Sequence, residues 1–158
     1  MRRFLRHKHG NPAAGRGVFR KLCGQCHKIY GEGAEVGPDL TSAGRTSYHH
    51  LLTKVFDPNQ FIKAGYQAVT VYTTRGRCVT GLVVEDNPRR LVLKTQGGKV
   101  ETIPRAEVDS AVRGQVSLMP EGIEKLLSAE ELADLFAFLT LDRPPGDPHA
   151  RKIPGMPP

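Results

Sequence analysis

Hydrophobic positions along the chain change period twice. Over residues 12–22, Gly15, Val18, Phe19 and Leu22 recur at helical spacing and form one apolar face. Asn11 can cap that helix, and Pro12 suits its first turn. Ser47 opens a second helical stretch carrying Leu51, Leu52, Val55 and Phe56, which stops at Asp57-Pro58 because the residue before a proline avoids helical geometry. From Tyr66 the period becomes two, through Ala68, Val69, Val71, Tyr72, Val79, Leu82, Val83, Val84, Leu91, Val92, Leu93, Val100 and Ile103. Turn signals at Thr74-Arg75-Gly76, Asp86-Asn87-Pro88 and Gln96-Gly97-Gly98 cut this run into four antiparallel strands, with a fifth over 108–113. So short a sheet suggests a small curled barrel forming its own lobe. The helical period then returns with Leu132, Leu135, Phe136, Phe138 and Leu139, opened by the capping box Ser128-Ala129-Glu130-Glu131. The tail over 142–158 holds six prolines among its seventeen residues and reads as an extended or disordered linker.

A chain of 158 residues can bury roughly 70% of its unfolded surface, so a real core is within reach. No apolar run approaches the roughly 18 residues that a membrane span needs. The formal charge of +7 would suit nucleic acid, but four of the lysines and arginines lie in the first eight residues, and aromatic residues do not interleave with them. Residues 1–10 read instead as a flexible basic arm without the apolar core of an export signal, and its His7 and His9 as solvated. No nucleic-acid partner is expected. Of three cysteines, two share one motif and leave Cys78 without a disulfide partner, which makes it a small buried hydrophobe.

That motif is Cys23-Gly24-Gln25-Cys26-His27, at the end of the first helix. A C-x-x-C-H pentapeptide is the spacing of a c-type haem attachment site: two thiols add to the two haem vinyl groups, and the next residue brings a ring nitrogen under the iron. A zinc knuckle and a redox dithiol share the C-x-x-C part. A zinc site wants a second ligand pair, however, and Cys78 stands alone. A thioredoxin-like dithiol follows a strand, whereas an amphipathic helix leads here. Haem attachment of this kind takes place outside the cytoplasm, so the chain is expected in the periplasm or cell envelope, either as a piece of a longer exported protein or with its export signal supplied elsewhere.

With the helices, the haem motif and Gly37-Pro38-Asp39-Leu40 in view, the chain resembles a class I cytochrome c. The fold class this implies is α+β, a mainly α class I cytochrome c fold interrupted by a small antiparallel β-barrel-like insertion. Residues 11–65 and 116–141 would form one discontinuous cytochrome domain around an inserted lobe at 66–115. In such cytochromes Pro38 would offer its carbonyl to the second nitrogen of His27, and Leu40 would lie against the porphyrin. Arg45 would approach a haem propionate, the alternative being a plain surface arginine. Gly15 and Phe19 would cross Leu135 and Phe138 of the last helix. More narrowly, the β insertion, Asp57-Pro58-Asn59 and Ser117-Leu118-Met119-Pro120-Glu121-Gly122 resemble the haem domain that ends many exported, membrane-associated dehydrogenase-like proteins of planctomycete-type bacteria. This likeness implies Met119 as the distal iron ligand opposite His27, with His49 and His50 the alternatives.

The function expected is therefore that of a non-enzymatic domain carrying single electrons through one covalent haem c, for an attached dehydrogenase or a redox partner protein. Arg75, Arg77, Arg89 and Arg90 of the lobe would steer an acidic partner, or only solubilise the sheet. Two alternatives stand beside this reading. One is a ligand sensor or enzyme with an open or labile distal iron position, and the other is a protein-binding module built on the β lobe.

Overall fold

The computed structural model describes residues 9–156, so most of the expected basic arm, His7 included, lies outside the described residues. Two compact units result: one from the segments up to Asp57 and from Glu121 onward, the other from Pro58–Pro120. The borders differ from the change of period at 65/66 and 115/116. The flanking residues 58–66 and 116–120 go with the sheet because the Ser117 amide donates to Asn59 Oδ1 at 2.7 Å and Ser117 pairs with Gln67.

In the first unit, α1 (Pro12–Leu22) starts where Asn11 accepts hydrogen bonds from the Ala13 and Ala14 amides, and it carries Arg20 and Lys21 in its last turn, where the helix dipole favours cations. Ser47 caps α2 (Tyr48–Phe56), and α3 (Ala129–Leu139) opens with a complete capping box between Ser128 and Glu131. Helices α1 and α3 touch at Gly15, where a side chain would run into the backbone of Asp134. Phe19 and Phe138 lie beside that crossing with ring centroids 5.5 Å apart. Phe136 adds an edge contact to Tyr48 and a stacked one to Phe56, so all three helices share one core.

The tail corrects the expectation of a loose linker. Leu141 bridges to Lys152, the Ile153 amide donates to Thr140 O at 2.8 Å, and the Tyr48 amide donates to Pro154 O at 2.9 Å. Ile153 is only 9% exposed and joins the core. Prolines leave a segment few donors, yet their carbonyls still accept, and Ile153 with Met156 packs this one against the core.

The second unit is an antiparallel sheet of β1 (Gln67–Thr73), β2 (Cys78–Asp86), β3 (Arg90–Lys94), β4 (Val100–Pro104) and β5 (Val108–Ser117) in the order β4-β3-β2-β1-β5. Strand alternation gathers Val69, Val71, Leu91, Leu93 and Ile103 on one face, with Val79, Val83 and Val108 beside them. Cys78 pairs with Tyr72, on the opposite face from the Val71 and Val79 pair, and is exposed rather than buried. Period two puts neighbours on opposite sides, so turning the partly buried Val79 toward the core sends Cys78 out. Strand β5 runs four residues past the expected end at Arg113.

The fold class itself is corrected. Among the described residues the dominant element is a five-stranded antiparallel sheet with strands of 7, 9, 5, 5 and 10 residues, against three short α-helices of 11, 9 and 11. This is not a mainly helical class I cytochrome c fold with a minor insertion. Residues 28–46 hold four glycines and a proline and form loop throughout, so the span between α1 and α2 adds no helix to offset the sheet. The sheet also ends in two unjoined edges, β4 and β5, rather than closing as a barrel.

Candidate functional site

The pentapeptide is a turn that continues α1. Cys23 caps the helix with its amide on Phe19 O at 2.8 Å, and the amides of Cys26 and His27 both return to Cys23 O, at 3.0 and 2.8 Å. The following loop then folds back over it. Ala34 N reaches Gly24 O at 2.8 Å, Val36 N and Gly37 N reach Cys26 O at 3.0 and 2.7 Å, and Leu40 N reaches Lys28 O at 2.7 Å. Gly33, at φ 100°, passes so close that a side chain there would strike His27 O. Glu32 fastens the loop to α1 through ion pairs with Arg16 and, at 2.9 Å, Arg20. Their hydrogen bonds hold the Glu32 carboxyl down at about 2.

This cradle orients His27. Its Nδ1 lies 2.9 Å from Pro38 O, and because a carbonyl only accepts, Nδ1 carries the proton in that bond. In the neutral ring the lone pair is therefore on Nε2. Burial pushes the imidazole below its ordinary pKa, against the opposing pull of the Pro38 hydrogen bond, and so favours the neutral ring. Cys23 and Cys26 are both partly buried, and neither is in a disulfide. Burial, and then the adjacent Cys26, raise the Cys23 thiol to about 12. A reactive redox thiol needs the opposite, a stabilised thiolate, which the surroundings of Cys23 do not favour.

Arg45 sits in a web of carbonyls. Its Nε donates to Leu40 O, Nη1 to Leu141 O, to Leu139 O at 3.1 Å and to the Tyr30 hydroxyl at 3.0 Å, and Nη2 to Thr41 O at 3.2 Å. Tyr30 itself donates to Leu141 O and lies under the guanidinium, 5.3 Å from ring centroid to Cζ. The pair clamps the loop after the pentapeptide onto the C-terminus of α3. Leu40 packs beside the same core.

Of the other expected site residues, Met119 belongs to the sheet unit, where its amide donates to Ser117 Oγ at 3.1 Å. His49 is exposed, and His50 Nδ1 meets Thr46 Oγ1 at 3.2 Å. Three of the arginines expected to steer a partner face carboxylates: Arg75 with Glu107, Arg77 with Glu101, and Arg90 with Glu85 at 3.5, 3.1 and 2.8 Å. Their field is thereby shortened. Sequence reasoning missed Tyr30 and Glu32, and named Gly37 only as part of Gly37-Pro38-Asp39-Leu40, with no role of its own. Only Arg16 and Arg20, one turn apart on α1, hinted that a carboxylate stands between them.

Among the described residues no group of three or more His, Cys, Asp or Glu side chains is placed to hold a metal ion. No described helix is long and apolar enough to cross a membrane. No protein-family model matches the chain, and no curated protein matches it.

Proposed function

We propose that the chain is a c-type haem domain that passes single electrons to or from an attached dehydrogenase or a separate redox protein in the periplasm or cell envelope. The observation that carries this reading is how His27 is held: its Nδ1 is committed to Pro38 O at 2.9 Å, which leaves Nε2 as the nitrogen for a further partner, and the ring follows directly on Cys26 of the Cys23/Cys26 pair. That donor set fits haem c. Cys23 and Cys26 would hold the group by thioether bonds, His27 Nε2 would be the proximal iron ligand, and Leu40 would line the porphyrin. Met119 remains the proposed distal ligand, by the resemblance to the planctomycete-type haem domain. When bound, the haem iron supplies the one-electron chemistry. The protein fixes the tautomer of His27 and partly buries both that ring and the Cys23 thiol. Arg45 is already engaged by four carbonyls, so the proposal gives it the task of joining loop to helix rather than of holding a propionate.

The test is production in a host able to mature c-type cytochromes, followed by denaturing electrophoresis with haem staining. Stain at the mass of the chain is expected in the wild type and is lost in Cys23→Ala/Cys26→Ala. Haem that leaves the wild type in acidic organic solvent overturns the reading.

A further inference from the structure

Gly37 is the residue of the cradle whose identity the backbone does not explain. Its φ lies outside the left-handed region, so that angle does not by itself call for glycine. What forbids a side chain is the imidazole. A Cβ on Gly37 would lie 2.5 Å from Cε1, 2.8 Å from Nδ1 and 3.1 Å from Nε2 of His27, and these are its three nearest atoms. Real Cβ atoms essentially never come within 3.0 Å of such neighbours. Meanwhile the Gly37 amide is tied to Cys26 O at 2.7 Å, and the next residue accepts the His27 Nδ1–H at 2.9 Å. Neither partner has an easy way to retreat. The loop is bonded to the same pentapeptide that carries the ring, and turning the ring away breaks its bond to Pro38.

We propose that Gly37 is a positioning residue for His27: its bare Cα is the wall on which the imidazole rests, and together with Pro38 O it fixes the ring's rotation and leaves Nε2 as the nitrogen offered to the haem iron. The role of Nε2 rests on the haem reading above, whereas the packing of ring on glycine does not. Pro38 alone permits the ring to swing about the Nδ1–H···O axis, because a hydrogen bond tolerates tens of degrees. The glycine wall removes that freedom. A methyl group at position 37 displaces the ring, weakens the Pro38 bond, and turns the imidazole plane relative to the porphyrin.

The experiment is a mutant cycle on the haem-free protein followed by spectroscopy of the loaded one. Gly37→Ala is expected to lower the Tm by about 5 °C or more in the wild-type background and by almost nothing in a His27→Ala background, where the obstructing ring is gone. Should Gly37→Ala alone fail to fold, the double variant His27→Ala/Gly37→Ala is still expected to melt with His27→Ala. Equal losses in both backgrounds overturn the proposal, because they make Gly37 a backbone requirement unrelated to the ring. In the haem-loaded protein, Gly37→Ala is expected to keep both thioethers while changing the low-spin electron paramagnetic resonance g values that report axial-ligand orientation. Unchanged g values remove the positioning role. A wild type without covalent haem that still shows the rescue defeats the functional reading and upholds the packing of ring on glycine. A loaded wild type without rescue does the reverse.

Discussion

Replacing Arg45 separates its two roles, loop clamp or propionate partner, by where the damage shows. Arg45→Met keeps much of the stem and removes the guanidinium, leaving the carbonyls of Leu40, Leu139 and Leu141 without this donor. A hydrogen bond to a charged group contributes about 1.5–3 kcal/mol, and a cation at a helix C-terminus adds about 0.3–1 kcal/mol. These bonds are not additive, because Nη1 divides itself among three acceptors and the site is partly open to water, so a total loss of about 3 kcal/mol is reasonable. For a unit of this size each kcal/mol is worth roughly 4–8 °C, which puts the fall in Tm above about 10 °C. Arg45→Lys should recover only a fraction, since an ammonium cannot span acceptors spread around a planar fork. The assay is thermal unfolding of haem-free protein followed by circular dichroism. A Tm within about 2 °C of wild type in haem-free Arg45→Met, with a shifted reduction potential in the loaded form, refutes the clamp and restores the propionate role.

Three further outcomes are expected. Gly15→Ala should lower the Tm even though alanine is the better helix former by about 1 kcal/mol, because its methyl group meets the Asp134 backbone; a raised Tm would mean that α1 and α3 do not cross there. Glu32 has a folded pKa of about 2 against an ordinary 4.5, so its ion pairs stabilise the fold above about pH 4.5 and are lost as pH falls towards 2. The Tm gap between wild type and Glu32→Gln should therefore close across that window in acid titration followed by circular dichroism, and shrink with salt at neutral pH, since the pairs are exposed. Met119→His should yield a bis-histidine haem of lower reduction potential in the loaded protein, as read by spectroelectrochemistry; identical spectra and potentials for wild type and Met119→Ala would move the distal position to another group.

What could be read from the chain was whatever is settled within a few residues. Asn11, Ser47 and Ser128 cap helices because their partners stand two or three residues on, and Asn87 makes the predicted turn before β3 through the amides of Arg89 and Arg90. The end of β5 was illegible because an edge strand exposes both faces: Val112 and Val116 are each 55% exposed, so alternation lost its meaning there. The balance of sheet against helix was misjudged for a related reason. The stretches with the most informative chemistry, the pentapeptide and Gly-Pro-Asp-Leu, are attached to helices but are themselves loop. The surroundings of Arg45 were out of reach altogether, since Leu139 and Leu141 lie almost a hundred residues away in the chain. Gly37 was visible only as the neighbour of a proline, and the ring that requires it sits ten residues earlier.

The division of the chain imposes a timetable. Helix α1 and the pentapeptide are translated early, but the surface that buries them, α3 with the returning tail, belongs to the segment after Glu121. Roughly a hundred residues separate Leu22 from the start of α3, or about 5–20 s of ribosome time. For that interval the two cysteines belong to an unfinished, solvent-facing stretch. Once α3 arrives, Gly15 locks against Asp134 and Cys23 packs, partly buried, beside the core. Under the proposed function, covalent loading thus competes with completion of the fold, and a maturation enzyme would act on a nascent or newly exported chain more readily than on a finished one.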